Sequence, residues 1–238
     1  MNCSVKETRV EFYRRWSKSA QTYFKWQAEL ISGFVGDRLA DIGCGLGNFA
    51  WIYKDRELYL GMDSDKDIRR EISKIDLPRN FRMAAVHDIC QDEAVSELRK
   101  HSVDTVICIN TLEHIKDHRR ALLNMLSGIS QGDHVCLIVP ALQCLYGTLD
   151  LFDGHYRRYS KEDLRELVRG IGAEIVHIRY MNIIGALGWF LKGKIIREKV
   201  YRTSNFTMMV KLLPLIRRFE RFIEPPFGLS LVTVLKKR

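Results

Sequence analysis

No stretch of the 238 residues approaches the ~18 consecutive apolar residues that a membrane-spanning helix requires. The N-terminus, Met1-Asn2-Cys3-Ser4-Val5-Lys6-Glu7, lacks the apolar centre of a signal peptide. Paired cysteines are missing as well. The six cysteines, at 3, 44, 90, 108, 136 and 144, form no C-x-x-C motif, which argues against a disulfide framework and for a reducing, cytoplasmic setting. The seven histidines lie far apart and show no metal-ligand spacing with the cysteines, so no metal is expected. Internal repeats and low-complexity tracts are absent. Acidic residues are scarce only in the last quarter, where residues 181–238 carry 12 Lys/Arg against Glu198, Glu220 and Glu224. The entire net charge of +9 therefore lies there. Such segregation excludes a uniformly basic nucleic-acid binder and points to a local basic surface.

What is present is a regular alternation. Short apolar runs at 39–42, 58–62, 81–86, 103–109, 133–139, 173–180 and 229–236 read as strands. Helical patterns fall near 48–54, 65–75, 92–100, 117–129 and 161–170. One amphipathic helix is expected over roughly 7–34 (Phe12, Trp16, Tyr23, Trp26, Leu30), and a helical insertion over 183–223. Strands alternating with helices mean βαβ units and a largely parallel, doubly wound Rossmann-like α/β sheet with helices on both faces. The length suits one domain: a helical cap over 1–36, a ligand-binding core over 37–180, the insertion over 181–228 and a last strand with a basic tail over 229–238. Ligands in such folds bind at the strands' carboxyl ends.

The most informative segment is Leu39-Ala40-Asp41-Ile42-Gly43-Cys44-Gly45-Leu46-Gly47-Asn48-Phe49. It reads as strand, glycine turn and helix opening, a backbone that lets a ligand approach closely. The dinucleotide frame G-x-G-x-x-G would place its third glycine at 48, which is Asn48. The observed G-x-G-x-G, preceded by Asp41, resembles the first motif of the class I S-adenosylmethionine (SAM) methyltransferases. Three later strand ends match that family in order: Asp63-Ser64 after 58–62, Asp88-Ile89 after 81–86, and Asn110-Thr111-Leu112-Glu113-His114 after 103–109. The resemblance implies a seven-stranded sheet with an antiparallel last strand. It also implies a cofactor site drawn from Asp41, Gly43, Cys44, Gly45, Gly47, Asp63, Ser64, Asp88, Ile89, Asn110 and Leu112. Asp63 would bond the ribose hydroxyls, Asp88 the adenine amino group, and Ile89 would pack on the ring.

The connection 140–159 is long for a compact domain, and such loops are usually functional. It contains Pro140-Ala141, Leu145-Tyr146-Gly147, Asp150 and Gly154-His155-Tyr156-Arg157-Arg158-Tyr159, and it ends at a near capping box formed by Ser160 and Asp163. This pattern resembles the acceptor loop of a bacterial and archaeal methyltransferase subgroup. His114 and His155 are candidate bases, because imidazole titrates near neutrality. Tyr156 is a further candidate at the reacting centre. Tyr146, Arg157, Arg158 and Tyr159 are candidate acceptor contacts, guanidinium being suited to phosphate or carboxylate. The plainer reading is loop packing, with Arg158 paired to Asp150 or Asp153.

In the insertion, Leu212, Leu215, Ile216, Phe219, Phe222 and Ile223 form one apolar stripe, with Arg217, Arg218, Glu220 and Arg221 on the other side. With the basic residues around Ile183–Leu191, this suits peripheral contact with an anionic membrane through residues 183–223. Packing on the domain itself, or on a second copy in a homodimer, is the alternative to a membrane-bound monomer. The resulting expectation is a SAM-dependent methyltransferase acting on a small molecule, lipid-linked or sugar-bearing, with O-methylation preferred and S-adenosylhomocysteine as product. The competing reading is a non-catalytic SAM-binding scaffold. A nucleic-acid methyltransferase is disfavoured, because Asn110-Thr111-Leu112-Glu113 lacks the Asn/Asp-Pro-Pro-aromatic run of base-amino methylation.

Overall fold

The computed structural model of the protein describes residues 9–196 and 203–238, the side chains of 9, 10, 12, 13 and 203–212 excepted. Seven strands form one sheet: β1 (Arg38–Ile42), β2 (Leu58–Met62), β3 (Phe81–Met83), β4 (Thr105–Ile109), β5 (His134–Pro140), β6 (Ala173–Met181) and β7 (Ser230–Lys237). Their spatial order is β3-β2-β1-β4-β5-β7-β6, and β7 runs antiparallel to both β5 and β6. The β1–β2, β1–β4, β2–β3 and β4–β5 pairs are parallel. The strand order reverses beside β1, so β1 and β4 frame the switch point where such sheets take ligands.

Alternation along the strands divides the core in two. Ala40 and Ile42, Val106 and Cys108, and Val135, Leu137 and Val139 join one cluster with Leu98, Leu122 and Met125. These come from α4 (Glu93–Lys100) and α5 (His118–Gly128). Leu39, Ile107, Ile109, Cys136 and Ile138 face the other way and meet Tyr23, Phe24, Trp26 and Ile31. A pleated strand buried on both faces sends successive side chains to opposite layers. Cys108 and Cys136 act as core hydrophobes, and all the described cysteines are free.

Several elements differ from expectation. The N-terminal segment forms two helices, α1 (Arg9–Ser19) and α2 (Gln21–Ile31), separated at the fully buried Ala20 (φ −99°, ψ 11°). Residues 7 and 8 lie outside the described part. The third strand stops at Met83 rather than 86. No regular helix opens at 48–54. Gly43, Gly45 and Gly47 all have positive φ (77°, 54° and 75°), and the chain beyond proceeds by short turns such as Ala50 N to Gly47 O and Ile52 N to Phe49 O. The stretch 140–159 is no open loop. It holds a short turn at Gln143–Leu145 and α6 (Thr148–Asp153), before α7 (Lys161–Val168), which is capped by Ser160 and Asp163 as expected.

The insertion comprises α8 (Ile183–Phe190), a widened π turn over Leu191–Ile196 and α9 (Thr203–Phe222). Its buried face is not the apolar stripe expected from periodicity. Leu213, Ile216 and Glu220 are buried, whereas Leu215, Phe219, Phe222 and Ile223 are exposed. Glu220 is turned inward, where its carboxylate accepts the Asn182 and Ile183 amides as β6 passes into α8. Leu212 lies outside the described side chains. Among the described residues, no helix is long and apolar enough to cross a membrane.

Candidate active site

The glycine turn is tied to the neighbouring strand before any ligand is considered. The Gly43 and Cys44 amides donate to Met62 O (2.8 and 3.1 Å), and the Gly45 amide donates to Asp63 Oδ2 (2.9 Å). Asp63 Oδ1 accepts the Asp65 amide at 2.9 Å. An ionised carboxylate has about four acceptor positions, and these two backbone bonds fix the orientation of the Asp63 carboxylate at the end of β2. A Cβ on Gly43 would lie 2.2 Å from Thr111 Oγ1, so only glycine lets the ends of β1 and β4 approach this closely.

Beside Asp63 opens a cleft of about 440 Å³ lined by Ser64, Arg69, Ala85, Val86, His87, Asp88, Gln91 and Glu93. His87 was not among the sequence candidates. Its Nδ1 is buried without a partner, and burial together with Arg69 holds the imidazole below its usual pKa. At the end of β4, Asn110 is exposed and sits in the left-handed region (φ 50°), a conformation that costs energy and tends to mark functional rims.

The sequence candidates for the cofactor therefore divide. Gly43, Asp63, Ser64, Asp88 and Asn110 are at least partly exposed at the carboxyl rim, and Gly45 and Gly47 are buried within the turn. Asp41, Cys44, Ile89 and Leu112 lie beneath it, each no more than 3% exposed. Ile89 belongs to the core rather than to the cleft, which corrects its expected place against an adenine ring. Asp41 is bonded by the Tyr59 hydroxyl, and burial pushes its carboxyl up to about 7, with Asp63 adding to the rise. Asp41 is thus enclosed beneath the turn and engaged by the neighbouring strand. The oriented Asp63 carboxylate, the orphaned His87 Nδ1 and the close backbone turn together fit a nucleoside-bearing cofactor.

The second half of the site is built around Asp150, which is fully buried on α6. Its Oδ2 accepts the Gly147 amide (3.0 Å) and the Trp189 indole N–H (3.1 Å), and its Oδ1 accepts Arg158 Nε (2.7 Å). His155 Nδ1 lies 2.9 Å from the same Oδ1. Burial alone would raise the Asp150 pKa, but His155 and Arg158 hold it below its usual value. Arg158 is itself buried, donates to Ala141 O (3.0 Å) and lies 4.8 Å from the Trp189 ring centre. It is spent on fixing the loop and has no free face for an acceptor's phosphate. Tyr159 likewise is 1% exposed, with its hydroxyl 2.9 Å from His118 Nδ1, and is a core residue rather than an acceptor contact. Its backbone pairs with Pro140 and Leu142, closing the ends of the segment on each other.

What remains accessible is Tyr156, more than half exposed, and Arg157, which donates to Ile115 O (3.1 Å) and Lys116 O (3.0 Å). The Tyr146 hydroxyl donates to His155 O (2.7 Å), steadying the histidine's backbone. The Tyr156 amide donates to Glu113 O at 2.9 Å and joins this segment to the turn after β4. As a result the His114 and His155 rings meet edge to face with centroids 4.7 Å apart. His155 Nε2 lies 4.0 Å from Glu113 Oε1 and 3.8 Å from Asp153 Oδ2. Glu113 is 1% exposed and its Oε2 has no partner. Burial pushes the Glu113 carboxyl up to about 7 even though His155 draws it down. Burial also works against a charged His155, yet the Asp150 hydrogen bond and the surrounding carboxylates hold its pKa above the usual value.

A switch-point sheet, a glycine turn latched by the acid of the next strand, and a polar cluster at the end of the fourth strand together define the class I methyltransferase architecture. Residues 13–178 match the family described as a methyltransferase domain, and the chain belongs to it. That membership makes it an enzyme whose implied methyl donor is SAM. Three solved structures share the fold over nearly the whole chain. One, from Haloferax volcanii, is a protein described as a methyltransferase in complex with the Trm112 methyltransferase activator (16% identity, 98% of this chain and 97% of that chain, TM-score 0.63). Another is a SAM-dependent methyltransferase of Thermotoga maritima (16%, 98% and 97%, 0.62). A third is a SAM-dependent methyltransferase of Archaeoglobus fulgidus (18%, 95% and 99%, 0.59). No curated protein matches the sequence.

Proposed function

We propose that the protein transfers a methyl group from SAM to an oxygen of a small-molecule acceptor seated between the Glu113–His114 turn and the 140–159 segment. SAM supplies an electrophilic methyl on a sulfonium. Asp63 would hold the ribose hydroxyls, with Ser64 and Asp88 lining the adjoining cleft. The observation that carries the acceptor side is the Asp150–His155 contact at 2.9 Å. It fixes the imidazole so that Nε2 faces Glu113 and His114. Displacement at a methyl group needs alignment and exclusion of water, and a hydroxyl acceptor must also lose a proton. A cluster of two imidazoles and a buried carboxylate suits that second need. Tyr146, Tyr156 and Arg157 border this cluster and would orient the acceptor.

The acceptor's character is read from exposed apolar side chains on α6, α8 and α9. Leu151 and Phe152 on α6, Leu187 and Phe190 on α8, and Phe219 and Phe222 on α9 are all exposed. Thr148 Oγ1 donates to Gly193 O (3.4 Å), which joins α6 to the turn after α8. An apolar surface among Lys192, Lys194, Arg217, Arg218 and Arg221 suits an anionic lipid interface and a lipid-linked acceptor.

Purified protein incubated with methyl-labelled SAM and fractionated cell extract tests this reading. Label in the lipid or small-molecule fraction, lost in His155→Ala while SAM still binds, is the expected result. Label confined to nucleic acid or to protein would overturn it. The Haloferax neighbour, held by an activator, favours one other reading: a SAM-binding partner whose apolar face is covered by another protein. Transfer by the purified chain alone decides against it.

A further inference from the structure

We infer that Glu113, His114 and His155 form a binding site for one divalent transition-metal ion at the acceptor end of the pocket. This deepens the reading above and rests on it, since the ion would sit where the acceptor oxygen reacts.

Glu113 and His114 are adjacent but His155 lies 41 positions beyond His114, which is why linear spacing gave no sign of the group. In the fold, one ligand atom from each lies within 4.8 Å of the others. Metal bonds of about 2.1 Å bring ligands to roughly 3–3.4 Å from one another, a change that side-chain rotation supplies. Three further features distinguish this cluster from a chance gathering of polar groups. Glu113 is 1% exposed and its Oε2 has no hydrogen-bond partner, which is costly for a buried carboxylate unless a cation takes it. His155 is oriented as metal-bound histidines are: Nδ1 is engaged by a buried carboxylate, Asp150, and Nε2 is turned toward the other two donors. Acidic groups gather at the imidazole, because Glu113, Asp150 and Asp153 each bring a carboxylate oxygen within 4.0 Å of a His155 ring nitrogen, and Arg158 is paired with Asp150.

Two imidazoles and one carboxylate suit zinc, manganese, iron(II) or cobalt rather than magnesium or calcium, which prefer oxygen ligands. Three protein ligands also leave coordination positions open for an acceptor's hydroxyl, phenol or vicinal diol.

The test uses untagged full-length protein, stripped with a chelator and titrated with Co²⁺ and with Zn²⁺. Saturable one-to-one binding is expected, accompanied by visible d–d absorption for cobalt. His114→Ala should weaken it at least tenfold with an unchanged thermal midpoint, because that side chain is part-exposed and its removal leaves the Asp150 hub intact. Glu113→Gln should act in the same direction. Absence of saturable binding, or equal binding by a folded His114→Ala protein, overturns the inference. SAM titration of the same metal-free protein separates the two levels. SAM binding without cobalt binding removes the metal and leaves the methyltransferase site, whereas cobalt binding without SAM binding removes the functional reading instead.

Discussion

The Asp63 carboxylate accepts the Gly45 amide at 2.9 Å, so the acid of the second strand holds the glycine turn of the first. One side chain thus shapes the cradle, and in the proposed function it would also hold the ribose hydroxyls. Asp63→Ala should lower SAM affinity at least tenfold by calorimetry, about 1.4 kcal/mol or more, through loss of both roles. Asp63→Asn should fall between, since its amide oxygen still accepts one bond. Unchanged affinity in Asp63→Ala would remove this residue from the site.

Gly43 offers a test of how the first and fourth strands meet. Gly43→Ala places a Cβ 2.2 Å from Thr111 Oγ1 at φ 77°. The expected loss is about 1–3 kcal/mol of stability in urea unfolding. Gly43→Ala combined with Thr111→Ala should recover part of it, because the hydroxyl and methyl clashes vanish while the backbone strain persists. Strict additivity of the two changes would mean that the contact carries no energy.

The two adjacent arginines should behave oppositely. Arg158→Ala removes the buried guanidinium paired with Asp150 at 2.7 Å and should destabilise by about 3–5 kcal/mol. Arg157→Ala breaks two hydrogen bonds to carbonyls at the surface and should cost about 1 kcal/mol or less. Thermal unfolding of both variants decides the matter, and an Arg158→Ala protein as stable as wild type would contradict the role assigned to it.

Asp41 predicts a pH effect with a definite sign. Its folded-state pKa of about 7 lies above the ~3.9 of an unfolded aspartate. Between those values the folded protein keeps a proton that the unfolded chain has released, so this group's contribution falls as pH rises. Asp41→Asn keeps an acceptor for the Tyr59 hydroxyl and cannot ionise. Its stability relative to wild type should be small at pH 4 and grow to the order of 4 kcal/mol by pH 8. A pH-independent difference between the two proteins would refute the buried, half-protonated carboxyl.

These residues also mark the limits of reading the chain without its fold. Strand ends were legible because β-strands buried on both faces leave short apolar runs, and Asp63 and Asn110 could be found by counting from them. Burial of individual polar residues was not legible. In the run Arg157-Arg158-Tyr159, the first residue is partly exposed and the next two are buried, a division set by the bridge between Tyr159 and Ala141 rather than by composition. The expected helix after the glycines failed for a local reason, three left-handed residues within five positions. His87 and Glu113 gave signs, a histidine and an acid beside strand ends, but their orphaned atoms appear only in three dimensions.

Helix α9 carries the last prediction, on the proposed lipid interface. Periodicity placed Ile216, Phe219 and Phe222 on one stripe, but of the three only Ile216 is buried. Phe219 is 60% and Phe222 78% exposed, so replacing both with serine should leave the thermal midpoint within a degree or so of wild type, surface changes rarely exceeding about 0.5 kcal/mol. The same double variant should lose most of its flotation with vesicles containing anionic lipid, since two aromatic side chains supply much of the buried apolar area of a peripheral helix. Raised salt should weaken wild-type binding as well, because the flanking Arg217, Arg218 and Arg221 act through a screened field. Wild-type protein that stays wholly in the soluble fraction would remove the membrane from the proposal. The exposed aromatics would then call for a protein partner, read as a shift of the wild type, but not of the double variant, to larger mass in cell extract.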